Sequence, residues 1–501
     1  MNGAPFTDSD LLATIGSTRS AVQDFRDIVG LADLVTQPEA AIAELRSRFE
    51  AFPAARSAHQ YVVSKPGSPE PRVITSLDVY EQVVYRSLAG RVVVPIEESL
   101  GNEVQSCRLA AYPPGWRVFH HGYGGDRNRA REKAFVDSDS FGAFATLDVR
   151  HFFPSISTAV LATSIAQLGG DDLAIADIGQ YLDSMQQLRG VVGLPVGIDA
   201  SGCLANATVS EVDAMLRGAG YDFSRFSDDY HLYLRTYEQF ESVLPEARAL
   251  LGLKGLRLHP KKVCCVETRA NALRLSTWDD VTDNLRHALD TKDPGALSLA
   301  KVVFDREVEQ EAPAQNRIKF TLGVFARRGD THALDALQAR DGLFDVAPST
   351  FGQHLEELAR KDKADRDWIL SNAVGPTSPR HVCRRTYMLR ALATTGRTPQ
   401  SGRAALEDML DDSTGHVLVR AAVAEALALT DGWRPGHAVS RAEGIGEPAI
   451  QRALALSVRH APASRKRTKA LAKLTTIPVC RASARWIADG APSVVAKSGR
   501  L

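Results

Sequence analysis

The sequence predicts an α+β unit over residues 1–275 and an all-α unit over residues 276–501, and three observations carry that division. Strand-like runs, such as Phe144-Ala145-Thr146-Leu147 and Tyr230-His231-Leu232-Tyr233-Leu234, are confined to the first stretch. From about residue 276 the chain turns rich in Ala, Leu and Arg, and the strand signals vanish. The helical spacing of apolar residues in Val417–Leu429 returns in Ala449–His460, roughly 30 residues later. Helix pairs recurring every 30–45 residues or so predict a HEAT-like solenoid. The repeat is loose, which leaves an irregular helical bundle as the other outcome.

At 501 residues the chain exceeds one ordinary core, so two or three domains are expected. A hydrophobic content of 44% with 24% charged residues is that of a folded globular protein. The 60 basic and 60 acidic residues cancel, so bulk charge points to no polyanionic partner. Local charge does: from Arg459 to Leu501 ten Lys or Arg face one acidic residue, Asp489. Such a basic tail reads as a polyanion contact or as a solvated end. Six scattered cysteines without zinc spacing indicate free thiols in a reducing cytosol. The amino terminus lacks the basic start and apolar core of a leader, and no run nears the ~20 apolar residues of a membrane helix. A soluble, cytoplasmic protein without membrane contact is therefore expected.

Residues 8–60 carry helical spacing, as in Ala40–Arg46. Tyr61–Ile74 follows as two strand-like runs around a Pro/Gly-rich turn, each bearing one cation, Lys65 and Arg72. A basic hairpin suits a triphosphate, although surface hairpins with two charges are ordinary. Asp78–Leu88 predicts a helix, and Tyr112–Asp126, with Pro-Pro-Gly and Gly-Tyr-Gly-Gly, a connection. In Phe144–Ile156 an apolar strand ends on Asp148, two aromatics follow at Phe152 and Phe153, and Pro154 stops the strand. One or two helices over 157–190 lead to Gly193-Leu194-Pro195-Val196-Gly197, a fixed loop whose backbone can approach a ligand, before a helix of small residues.

Next, Tyr221–Leu234 reads as a tight hairpin with Asp228 and Asp229 at its tip. Adjacent carboxylates repel, and a divalent cation is the usual remedy. A helix over Glu238–Leu251 and the run Leu256–Val263, with Lys261 and Lys262, complete this half. Taken alone the Asp-Asp pair is a solvated turn. Set behind Asp148, it is compatible with two-metal nucleotidyl transfer, in which cations about 3.5–4 Å apart serve the attacking 3′-hydroxyl and the leaving pyrophosphate.

The order of these five features resembles the reverse transcriptases of prokaryotes, over roughly residues 55–270. Asp148–Ile156 is similar to that family's motif A, Gly193–Asn206 to motif B, Phe226–Asp229 to motif C and Leu256–Val263 to motif D. The resemblance implies a right-hand polymerase with fingers and palm in residues 1–275, and helical repeats in place of a thumb. It implies Asp148 and Asp228 as main metal ligands, with Asp229 supporting, and Mg²⁺ or Mn²⁺ as cofactor. By the same likeness Lys65, Arg72 and the Gly193, Pro195 and Gly197 loop meet the incoming dNTP. Phe153 takes the steric-gate position that rejects a 2′-hydroxyl, and Lys262 is the acid for pyrophosphate. Arg225, just before the tip, reads equally as a structural cation.

Two departures stand out: Val196 where Gln is common in motif B, and Phe226-Ser227 where Tyr-Val or Tyr-Ala is commoner in motif C. With the helical carboxyl half they resemble the abortive-infection and other defence-associated branch. That likeness implies antiphage defence and DNA made from dNTPs, untemplated and primed from a protein hydroxyl. It also implies a homo-oligomer, a single-stranded DNA product attached to protein, and an RNA template or non-coding RNA as partner. A conventional RNA-templated reverse transcriptase is the alternative, and an inactive RNA-binding scaffold the second.

Overall fold

The computed structural model describes residues 6–492 apart from 20–24, 26, 28, 53–54, 56, 65–69, 112–116, 120–121, 277–278, 312 and 376–380. The chain divides into two compact units that interleave in sequence. One comprises Met1–Gln23, Leu45–Ala58 and Tyr80–Asp280; the other comprises Asp24–Glu44, His59–Val79 and Val281–Leu501. Segments 24–44 and 59–79 thus group with the helical carboxyl half.

Strands β1 (Ala58–Val63) and β2 (Arg72–Leu77) pair with each other, as do β3 (Arg108–Ala111) and β4 (Arg117–Phe119). The main sheet lies in the first unit. It orders β6 (Asp222–Phe226), β7 (Asp229–Leu234), β5 (Ala143–Asp148) and β8 (Cys264–Val266), all antiparallel. The apolar run of β5 occupies an inner place, covered on both faces, which is why it shows no polar alternation. Its entry is fixed by Gly142, where a Cβ would lie 1.7 Å from the Arg235 carbonyl oxygen. Only glycine lets the two backbones approach that closely.

Helix α1 (Val79–Gly90) is followed by α2 (Gly122–Asp137), then α3 (Thr158–Gln167) and α4 (Asp172–Arg189). Next come α5 (Asp199–Gly218) and α6 (Tyr237–Leu253). Helix α5 packs against α3, α6 and β6, while α6 covers β7 and β8. Its small residues, among them Ala200, Ser201, Gly202, Cys203 and Ala205, are all buried, so neighbouring backbones can close around it. Phe144, Val136, Tyr233 and Ala272 form one core cluster on the sheet. Two local expectations change. Helix α2 begins at Gly122, inside the stretch expected to be a connection, because the glycines there sit at a helix start, where their freedom costs least. Strand β5 ends at Asp148 without help from Pro154, which lies in the short helix Phe152–Ser155.

In the second unit, helices beginning at Gln315, Pro348, Val382, Val417 and Pro448 recur at near-regular intervals, and each packs on the next. A buried ion pair and a buried hydrogen bond tie distant segments together: Arg452 Nη2 donates to Asp33 Oδ1 at 2.7 Å, and Ser483 Oγ to Asp33 Oδ2 at 2.6 Å. Among the described residues, no helix is long and apolar enough to cross a membrane.

Candidate active site

The site is built by strand register. In the β5–β7 ladder Asp148 lies opposite Asp229, and the two-residue loop Ser227-Asp228 joins β6 to β7. Val149 N–H donates to the Asp228 carbonyl at 3.1 Å, so Asp148 and Asp228 close the same end of the sheet. Ser227 has φ +58°, a value that L side chains adopt at a cost, and the turn has positive φ at its first residue only. Its N–H donates to Ser106 Oγ at 2.8 Å, and its carbonyl accepts from Arg225 Nη1 at 2.8 Å. Ser227 Oγ is buried with no hydrogen-bond partner among the described residues.

Arg225 is the cation that shapes this turn. It is fully buried, with Nη2 donating to Asp213 Oδ2 at 2.6 Å and Nη1 to Asn206 Oδ1 at 2.8 Å. Burial opposes its charge, but Asp213 beside it outweighs that and raises its pKa. Tyr230 Oη also donates to Asp213, at 2.9 Å. Asp213 and Asn206 both come from α5, so the helix that follows the glycine loop holds the hairpin. Sequence reasoning left Arg225 open and missed Asp213, since nothing local pairs residues 12 apart across a helix and a strand.

The carboxylates at the tip are differently placed. The Asp148 side chain is 9% exposed, whereas that of Asp229 is 46% exposed and lies beside His231, Nε2 to Oδ2 3.7 Å. Asp228 is half-buried. Its carboxyl is pushed up to about 6, first by burial and then by the charge of Asp148, with Asp229 adding and Lys262 opposing. Lys262 Nζ pairs with Asp148 Oδ2, and its carbonyl accepts from Thr146 Oγ1 at 2.9 Å, which fixes it against β5. Behind Asp229, His231 Nδ1 lies 2.6 Å from Glu132 Oε1. Burial disfavours the imidazolium, but the nearby Asp229 carboxylate and the hydrogen bond with Glu132 raise its pKa to about 10. His231 and Glu132 were not singled out from sequence; the only signal was a polar residue at a buried strand position.

The glycine loop reaches the same end. Leu194 N–H donates to the Phe153 carbonyl at 3.0 Å. Gly193 has φ +68°, and a Cβ there would lie 2.4 Å from that same oxygen, so both conformation and space demand glycine. Phe153 is half-buried and packs on Phe152, ring centroids 5.4 Å apart. Pro195 is buried and Gly197 exposed at φ +96°. Arg72 is exposed at the first position of β2 in the second unit, and Lys65 lies outside the described residues.

The donor set suits a hard divalent cation: carboxylate oxygens, with a mutual repulsion at Asp228 that a cation would relieve. Among the described residues no group of three or more His, Cys, Asp or Glu could by itself hold a metal. A Mg²⁺ held by one or two carboxylates takes its remaining oxygens from water and substrate phosphates.

Residues 106–293 match the reverse transcriptase (RNA-dependent DNA polymerase) family. No curated protein sequence matches the chain significantly. Among solved structures, a Candida tropicalis telomerase in complex with a TWJ fragment of telomeric RNA is similar at 11% identity and TM-score 0.35. That similarity covers 68% of this chain and 62% of that one. A Candida albicans telomerase with the same kind of fragment follows at 10% identity and TM-score 0.31, over 73% and 69% of the two chains. Apo telomerase from Candida tropicalis gives 9% and 0.34, over 90% and 73%. The chain spans under two thirds of the first of these, and similarity at such scores assigns nothing. The family match does assign something: residues 106–293 carry a reverse transcriptase domain.

Proposed function

From a chain carrying a reverse transcriptase domain over residues 106–293, we propose a two-metal DNA polymerase that builds DNA from dNTPs in antiphage defence. The observation that supports it most is the convergence of Asp148 and Asp228 through the Val149–Asp228 backbone bond, with the charge of one raising the pKa of the other. Polymerases of this family use divalent metals. Here Asp148 and Asp228 would hold Mg²⁺ or Mn²⁺, with Asp229 supporting; the bound metal would supply activation of the 3′-hydroxyl and charge neutralisation at pyrophosphate. Around that centre the residues divide the work. Phe153, braced by Gly193 and Leu194, stands where a 2′-hydroxyl is refused. Pro195 and Gly197 keep the loop in one shape against the nucleotide. Lys262, anchored through Thr146, gives a proton to the leaving pyrophosphate; for Lys65 and Arg72 the role of triphosphate cations rests on the sequence resemblance alone.

Untemplated synthesis primed from a protein hydroxyl, in a homo-oligomer, is supported by Val196, which puts an apolar side chain where the family commonly has a Gln amide. RNA-templated synthesis is the second reading, favoured by the family match itself. The near-regular helices from Gln315 onward support HEAT-like repeats in place of a thumb, and the four-stranded antiparallel sheet that carries Asp148 and Asp228 supports fingers and palm within residues 1–275. A cytoplasmic location agrees with the free thiols.

The test is direct. Purified protein is incubated with labelled dNTPs and Mg²⁺, with and without added RNA, after nuclease removal of co-purified nucleic acid. Incorporation lost in Asp148→Ala and Asp228→Ala supports the polymerase; incorporation unchanged in both overturns it. Product on the protein without RNA selects the untemplated form, and a strict need for RNA the templated one. Phage plating on cells carrying wild type or Asp228→Ala tests defence, which fails if the variant protects equally.

A further inference from the structure

Helix α7 (Arg465–Leu474), in the second unit, has no part in the polymerase chemistry, yet its charge is one-sided. Ser464 caps it by accepting from the Arg467 N–H at 3.2 Å, and Ala470, Leu471 and Leu474 are its buried face. Arg465, Lys466, Lys469 and Lys473 are all exposed. At 3.6 residues per turn these four fall within an arc of about 100°, turned away from the buried face. Among the described residues, no hydrogen bond or ion pair engages the side chain of any of the four. Elsewhere in the molecule exposed cations do find partners, as Arg217 does with Glu103 at 2.6 Å and Lys262 with Asp148.

The helix also breaks its own electrostatic rule. Its first turn holds Arg465, Lys466 and Arg467 and no acid, although cations at a helix amino terminus oppose the macrodipole. Arg467 is accounted for, since its Nη1 donates to the Ala461 carbonyl at 2.9 Å. Arg465 and Lys466 make no such contact. Local unfavourable charge without structural compensation marks a surface shaped by a partner rather than by folding. The neighbouring helix Arg481–Ala488 adds another exposed cation, Arg485.

We propose that the Arg465, Lys466, Lys469 and Lys473 face of α7 docks the phosphate backbone of RNA. Lysines and arginines along one helix face neutralise phosphates without reading bases, which suits holding a strand whatever its sequence. RNA is the strand to expect because the chain's polymerase domain belongs to an RNA-dependent family. The docking does not depend on the metal site or on whether the RNA is copied.

The test uses the full-length protein and a fluorescently labelled 30-nucleotide single-stranded RNA of mixed sequence, titrated at several salt concentrations. Four phosphate contacts contribute a slope of about −3 to log K against log salt for a single strand. The quadruple variant R465Q/K466Q/K469Q/K473Q is expected to bind at least tenfold more weakly at low salt and to lose that part of the slope. Between 50 and 200 mM salt, the wild type should then lose about 50-fold more affinity than the variant. A charge-keeping variant, R465K/K466R/K469R/K473R, should bind as wild type, which separates lost charge from a damaged fold. Asp228→Ala should also bind as wild type, so a failed polymerase assay and a failed docking assay are told apart. Unchanged RNA affinity and slope in the quadruple variant overturn the proposal, including where only DNA or phosphatidylserine vesicles respond to the substitutions.

Discussion

The β6–β7 turn sits between a buried cation and a cluster of acids, and the two are treated oppositely. Two residues before the turn, Arg225 is sealed from water and is answered by Asp213, Asn206 and the Ser227 carbonyl. At the tip, Asp148, Asp228 and Asp229 share one sign, and Lys262 and His231 soften the repulsion. A buried ion pair that is fully hydrogen-bonded holds a shape; like charges held together by that shape lose stability and gain affinity for a cation. The buried pair beside the turn holds the acidic tip in place uncompensated.

Breaking the buried pair or the acidic tip should therefore give opposite signatures. Asp228→Ala is expected to reduce dNTP incorporation by about 10³-fold or more, the loss of several kcal/mol of transition-state stabilisation. Its thermal midpoint without metal should hold or rise, since a repelled carboxyl is gone. Asp213→Ala should do the reverse: a stranded Arg225 costs about 3–5 kcal/mol, read as an earlier urea midpoint, with activity falling because the turn loosens. Phe153→Ala is expected to leave the fold intact and improve ribonucleotide use relative to dNTPs by about 10–200-fold, measured as a ratio of kcat/KM values.

The pH dependence sharpens the same contrast. The folded pKa of Asp228, about 6, lies above its ordinary 3.8, so between those values the folded state binds more protons than the unfolded. That part of the stability is present at low pH and lost as pH rises through 6; Asp228→Asn should flatten the melting profile there. Metal binding runs the other way, strengthening as the carboxyl ionises, and Mg²⁺ titrations at pH 5 and 7.5 should show it. The smallest effect is at Ser227. Ser227→Gly relieves a positive φ and removes a buried hydroxyl that has no partner among the described residues, and should stabilise by less than about 1 kcal/mol.

The tip was legible in the sequence because its chemistry is local. Two aromatic-rich runs with a two-residue break define a hairpin, and the register follows from the turn length, so Asp228 falls at the tip without knowledge of anything else. The loop was legible for the same reason: Gly193 and Pro195 announce a fixed backbone, though not that Phe153 is what Gly193 must clear. The second unit was visible as helices, but its use of Asp27 and Asp33 from the amino-terminal region was not, because those contacts with Arg452 join residues more than 400 apart.

By itself, then, the sequence determined the strand that ends on Asp148, the hairpin around Asp228, and that carboxylates crowd one turn, all of which depend on residues within a few positions of each other; it did not mark α2 from Gly122 or the β3–β4 pair. The tertiary structure alone decided what answers each charge. Asp213 reaches Arg225 from a helix, Glu132 reaches His231 from another, and segments 59–79 and 24–44 group with the far end of the chain. Those pairings cost chain entropy to form and are selected by burial, since an unpaired charge in the interior is far more expensive than one in water. Burial depends on the whole fold, and no window of sequence contains it.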